Sequence, residues 1–224
     1  MGKLNKRQYS ENEELANTIT HGVGIILGLT AGVWLLMLAG RSCDYWAIGS
    51  VLAYVICMLF SYIISTCYHA CNEAKLKSTL RKLDHIAIYF HIAGTYTFFT
   101  LTVFRETAFW GWTLFFVVWV AAFTGACISY KGKGIGNRIE TTCYVVMGLV
   151  VFIAFKPIIE TLQPTGTLKI LWYLIAGGIS YICGAVFYMF KKVQYIHAIF
   201  HIFVLFGSVF HILAINSALA LKQS

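Results

Sequence analysis

Long stretches without one charged side chain set the strongest limit on how this chain can fold. No Asp, Glu, Lys or Arg lies between Glu14 and Arg41, Asp44 and Glu73, Asp84 and Arg105, Glu106 and Lys131, Lys169 and Lys191, or Lys192 and Lys222. A helix crosses the hydrocarbon of a bilayer in about 20 residues at 1.5 Å each, so each of these six stretches suffices. A seventh, from Glu140 to Lys156, encloses only 15 uncharged residues and must place one of those charges at its boundary, by snorkelling or local thinning. Charged residues are 12% of the 224, against 59% apolar, whereas a soluble domain carries about 25% charged residues. Lipid must therefore replace water over most of the surface. The expected fold is all-α: a polytopic membrane protein, one seven-transmembrane-helix bundle over residues 18–221, preceded by a polar N-terminal segment, 1–17. Its first two helices are expected near 18–39 and 46–71.

Both prolines, Pro157 and Pro164, fall in the fifth connection on this division, leaving every helix unbroken. The N-terminal segment, the second, fourth and sixth connections carry 12 Lys and Arg, against 5 in the other connections and the C-terminus. The positive-inside rule then puts the N-terminus in the cytoplasm. The net charge of +8 sits in short clusters between apolar runs, a pattern that suits anionic lipid and not nucleic acid. Residues 1–17 mix both signs, so the first apolar run is expected to be an uncleaved helix and not a signal peptide. Five of seven cysteines lie inside apolar runs, and an odd total speaks against a disulfide framework. Gly24, Gly28 and Gly32 form a stripe, as do Ala176, Ser180 and Gly184. Both suit close helix packing within the bundle; a seam in a homo-oligomer is the alternative.

Because successive helices cross in opposite directions, the end of the second, the start of the third and the start of the seventh meet one face. The polar residues gather there: Ser65 and His69, then Asp84 and His85, then His197 and His201. Four-residue spacing stacks His197 and His201 one turn apart on one helix face. Together with His69 they make three imidazoles, the ligand count of a catalytic zinc site with a fourth position open. Ser65 lies a turn deeper than His69, and Asp84 sits where it can hydrogen-bond a ligand or a water. The plainer reading is a set of hydrogen-bonded packing histidines. Against it stands the cost of ionisable groups within a bilayer, which makes their convergence a functional signal.

The other histidines sort by position. His21 starts its own helix at the same face and is a rival ligand or an outer-shell residue. His85 is turned about 100° from Asp84 and faces a neighbour or the headgroups. His91 shares the face of Asp84 but lies about 10 Å deeper, and His211 is about 20 Å from His197, too far to join. Cys67 and Cys71 point away when His69 points inward.

These residues resemble the hemolysin III group of the progestin and adiponectin Q receptor family. The matching text is Thr20-His21-Gly22, Ser65-Thr66-Cys67-Tyr68-His69, Leu83-Asp84-His85 running on to Ala93-Gly94-Thr95-Tyr96-Thr97, and His197-Ala198-Ile199-Phe200-His201. The likeness covers roughly residues 10–215, and Phe200 departs from it, standing where bacterial members often carry Trp. The resemblance implies seven helices with the N-terminus inside and a zinc ion held by His69, His197 and His201. Asp84 and Ser65 would lie beside the metal.

The first functional expectation is a zinc-dependent hydrolase of lipid amides or esters, acting in membrane lipid homeostasis, with membrane lipid as substrate. Zinc would make water nucleophilic near neutral pH, Asp84 would handle its proton, and Ser65 would help stabilise the oxyanion. The alternative is a non-enzymatic, zinc-stabilised membrane sensor. A pore-forming hemolysin is a third reading, disfavoured because nothing suggests a soluble form. A retinal protein needs a Schiff-base lysine, and residues 193–221 have none. A G-protein-coupled receptor needs the opposite orientation. A bacterial inner membrane is the expected location.

Overall fold

The computed structural model describes residues 9–107, 109–131, 137–162, 168–190 and 193–222. Pro164 and residues 1–8 of the expected N-terminal segment lie outside these. The elements are α1 (Glu11–Arg41), α2 (Tyr45–Ala70), α3 (Ala74–Phe98, prolonged by a π turn, Phe99–Val103), α4 (Phe109–Lys131), α5 (Asn137–Leu149), α6 (Phe155–Leu162), α7 (Leu168–Tyr188) and α8 (Ile196–Leu221). Seven helices are long and apolar enough to span a membrane. The fifth span is composite, with α5 and α6 joined by a 3₁₀ stretch, Val150–Ala154.

Three boundaries differ from the charge-based reading. α1 begins at Glu11 because Ser10 and Glu13 close a capping box: Ser10 Oγ accepts from the Glu13 N–H at 3.3 Å, and Glu13 Oε2 accepts from the Ser10 N–H at 3.0 Å. α3 begins at Ala74, where the Glu73 carboxylate caps the N–H groups of Lys75 and Leu76 at 2.8 and 2.7 Å. Asp84 is therefore about 15 Å into α3 and not at its start. The fifth span runs past Lys156 to Leu162, so Pro157 is inside it and not in a connection. The helix tolerates this because it restarts at Phe155, which leaves Pro157 in a first turn, where a missing N–H costs little.

Packing follows small residues. Helices α4, α3, α2, α1, α8 and α7 adjoin in that order, and the composite α5–α6 span touches α3, α4 and α7, closing the ring. On α1 the buried residues include Asn17, His21, Gly24, Gly28 and Gly32, while Ile19, Val23, Ile26 and Val33 are exposed. Such inverted polarity is expected of a helix that faces lipid. The glycine stripe lies against α2: a Cβ on Gly24 would come within 2.5 Å of the Tyr62 ring, and one on Gly32 within 2.8 Å of Val55. The stripe serves packing inside the bundle. Its counterpart on α7 is Gly177, Ser180 and Gly184, all buried, one residue displaced at its start from the expected Ala176. The ring encloses a mainly apolar cavity of about 300 Å³, lined from Asp84 and His201 to Phe104 and Ile158. All seven cysteines are free.

Candidate metal centre

His69 ends α2, while His197 and His201 occupy the first two turns of α8; all three are buried, at 2%, 7% and 1% exposure. One ring nitrogen from each lies within 4.8 Å of the others. The closest pair, His69 Nε2 and His197 Nε2, are 3.1 Å apart. A tetrahedral ion with bonds of 2.0–2.1 Å would hold two ligand nitrogens roughly 3.3 Å apart, so this pair already stands at near-ligating separation.

The remaining nitrogens show which face of each ring is available. His69 Nδ1 lies 2.5 Å from Glu14 Oε2, and a carboxylate accepts only, so Nδ1 carries the hydrogen and Nε2 keeps its lone pair. Lys77 pairs with the other oxygen of Glu14 at 2.8 Å and holds the carboxylate in place. His201 Nδ1 lies 3.3 Å from the Asn17 backbone oxygen and 3.1 Å from Thr20 Oγ1. The backbone oxygen cannot donate, and the Thr20 hydroxyl already donates to α1 carbonyls at 2.9 Å, so this Nδ1 also carries its hydrogen. Two imidazoles are thus fixed with Nε2 unprotonated and turned into a buried cluster. The His69 lone pair faces His197 Nε2 at 3.1 Å, a separation that calls for a proton or a cation between the two nitrogens. The donor set and its carboxylate-backed tautomer fit a metal ion.

The other sequence-selected residues fall around this cluster. Ser65 is 1% exposed, and its Oγ is close to the Asp84 carboxylate but makes no hydrogen bond. Asp84 and Ser65 line the cavity beside His197 and His201. His21 is not a member of the ligand group; its ring stacks on that of His201 with centroids 3.5 Å apart. His85 faces a neighbour: its Nδ1 is 2.6 Å from Glu140 Oε2, and Ser129 Oγ donates to the second carboxylate oxygen at 3.0 Å. That pairing gives Glu140 its place inside the fifth span. Cys67 is exposed and Cys71 partly so, both away from the cluster.

Glu14 and Asn17 were not singled out from the sequence, and Thr20 only as part of the Thr20-His21-Gly22 motif with no role of its own, yet they set the orientation of two histidines. A signal for them exists. Asn17 and His21 continue the buried stripe of Gly24, Gly28 and Gly32 toward the helix start, Glu13 completes it, and Glu14 stands half-buried beside it. Glu13 adds a second tie, since its Oε1 accepts from the Tyr195 N–H at 3.0 Å. Tyr195 has a left-handed backbone, φ 56°, and immediately precedes α8, so this bond fixes where His197 begins.

Comparison with known proteins agrees with the fold and the motifs. A family model described as "Haemolysin-III related" matches residues 9–212. The chain is 36% identical over 206 residues to "Hemolysin-3" of Bacillus cereus, covering 92% of this chain and 91% of that protein. It is 38% identical over 200 residues to a "Hemolysin-3 homolog" of Bacillus subtilis (strain 168), covering 89% and 91%. With seven membrane-spanning helices and a buried histidine cluster between them, this chain belongs to the haemolysin-III related family of integral membrane proteins.

Proposed function

We propose that His69, His197 and His201 hold a zinc ion, and that the protein hydrolyses an amide or ester bond of a membrane lipid. The observation that carries this reading is the pair of facing Nε2 atoms at 3.1 Å, backed by the Glu14 carboxylate and opening on an apolar cavity. Zinc, when bound, supplies Lewis-acid activation of a carbonyl and of water. Asp84 borders the same space and can carry a proton from the attacking water to the leaving amine or alkoxide. The Ser65 hydroxyl, buried beside the Asp84 carboxylate, can turn to donate to an oxyanion. The apolar walls hold an acyl chain and keep bulk water from the cluster. Glu14, Asn17 and Thr20 keep the imidazoles in one tautomer through the cycle.

A non-enzymatic zinc-stabilised sensor would call for a closed site, which ordinarily has four protein ligands. Among the described residues the cluster offers three, with His21 stacked alongside, and this favours the hydrolase. The charge distribution supports a cytoplasmic N-terminus, and the two Bacillus relatives support a bacterial plasma membrane as the location. The test is fatty-acid release from long-chain N-acyl amides and esters by purified, zinc-supplemented protein. Release by the wild type, reduced roughly 100-fold or more in Asp84→Ala, is the expected result. Absence of release from every amide and ester, with zinc demonstrably bound, would overturn the hydrolase and leave the sensor.

A further inference from the structure

A second polar group lies deeper in the bundle, apart from the metal cluster. Tyr62 is seven residues before His69, His91 seven after Asp84, and Ser208 seven after His201. On each helix that is two turns, about 10 Å further into the membrane. There Tyr62 donates to Ser208 Oγ at 2.7 Å, Tyr181 OH meets the same oxygen at 3.0 Å, and His91 Nε2 lies 3.5 Å from it. A serine hydroxyl has one hydrogen and two lone pairs, so these three neighbours saturate Ser208. His91 and Tyr181 also line the cavity, as does His211 one turn further along α8.

His211 is the unbalanced member. It is 8% exposed, and its Nδ1 is buried with no hydrogen-bond partner. Its Nε2 is turned against Gly177 of α7. Whichever tautomer the ring takes, Nδ1 is left as an unpaired donor or acceptor. Leaving such a group unpaired costs on the order of 1–3 kcal/mol. Within a bilayer no bulk water is at hand to reduce the penalty.

We propose that this belt, centred on His211, His91 and Tyr181, binds a hydroxyl group carried on the acyl chain of the ligand. The inference rests on the reading of the cavity as an acyl-chain site. With the chain's carbonyl end at the metal cluster, His91 lies about 10 Å and His211 about 15 Å further along. An extended chain advances roughly 1.3 Å per methylene for ordinary carbon–carbon bonds, which places the hydroxyl near the tenth to twelfth carbon. A hydroxyl there can pair with His211 Nδ1 in either tautomer, while a plain methylene leaves that nitrogen unpaired.

The experiment is displacement of radiolabelled octadecanoate from the full-length, zinc-supplemented protein in detergent. The competitors are 10-hydroxy- and 12-hydroxyoctadecanoate, 2-hydroxyoctadecanoate and octadecanoate itself. One of the mid-chain hydroxy acids should compete roughly tenfold better than octadecanoate, and the 2-hydroxy acid should show no such gain. His211→Phe keeps a ring of similar size and should abolish the preference while octadecanoate still binds. Equal competition by all four acids would overturn the proposal while leaving the acyl-chain site intact. Failure of octadecanoate to bind at all would overturn the acyl-chain reading and this inference with it. The wild-type comparison decides the matter even if the variant does not fold.

Discussion

Glu14 Oε2 lies 2.5 Å from His69 Nδ1, so a carboxylate from the first turn of α1 orients a histidine at the end of α2. The same carboxylate pairs with Lys77 of α3, which makes Glu14 a junction of three helices at the edge of the histidine cluster. Outer partners of this kind typically contribute 10–100-fold to metal affinity. Glu14→Gln can still accept a hydrogen bond but removes the charge. It should lower zinc affinity roughly tenfold or more, measured by competition with a chromogenic chelator, with the helical circular dichroism unchanged. Wild-type affinity in Glu14→Gln would show that the contact does not orient His69.

Seven spans were legible because charges punctuate the chain, but the rule behind that reading also hid Glu14. A charge marks the edge of a span only when its side chain has no partner inside the protein. Glu13 and Glu14 have partners, one in the Ser10 cap and the Tyr195 N–H, the other in His69 and Lys77. α1 therefore starts at Glu11, well before the first uncharged run. Glu140 obeys the same logic through His85 and Ser129. That His69, His197 and His201 converge was legible from spacing and topology, which left hydrogen-bonded packing histidines as the plainer reading; the zinc ligand set was what the family resemblance implied. The tautomers were not legible, because Nδ1 partners such as Asn17 and Thr20 come from another helix, in contacts that sequence spacing does not encode.

The packing of α1 on α2 yields a stability prediction. Gly24→Ala would bring a Cβ within 2.5 Å of the Tyr62 ring, which is fully buried. A loss of about 1–3 kcal/mol is expected for such overpacking, seen as a lower Tm in detergent. Gly22→Ala meets nothing within 4 Å and should leave Tm unchanged or slightly raised, since alanine is the better helix former. Equal responses from the two variants would contradict the packing assigned to the stripe.

At the far end of the bundle, Asp44 caps Trp46 N–H at 2.9 Å and pairs with Arg105 and with Lys222 near the C-terminus. Burial alone would raise this carboxyl, but the Lys222 ammonium, with the Trp46 N–H and Arg105, outweighs it and holds Asp44 below its ordinary 3.8. A depressed carboxyl stabilises the fold above its unfolded value, and that contribution is lost as pH falls through the lower folded value. Wild-type Tm should therefore drop as pH falls below 3.8, and Asp44→Asn should be less stable at neutral pH with a shallower drop. Parallel pH profiles for the two proteins would count against the ion cluster as a stabilising element.

The His85–Glu140 pair, 2.6 Å apart, joins α3 to the composite fifth span. A double-mutant cycle of His85→Ala and Glu140→Ala should give a coupling energy of about 1 kcal/mol or more, read from unfolding in mixed micelles. Additive losses would mean that the two side chains are neighbours without being partners.

The central claim is that three buried histidines form a metal site, and metal content tests it most directly. Full-length protein purified without chelators should carry about one zinc per chain, and the His197→Ala/His201→Ala double variant should carry none, both measured by elemental analysis. Zinc-free wild-type protein that takes up no zinc on addition, or a double variant that retains the wild-type zinc content, would contradict the account.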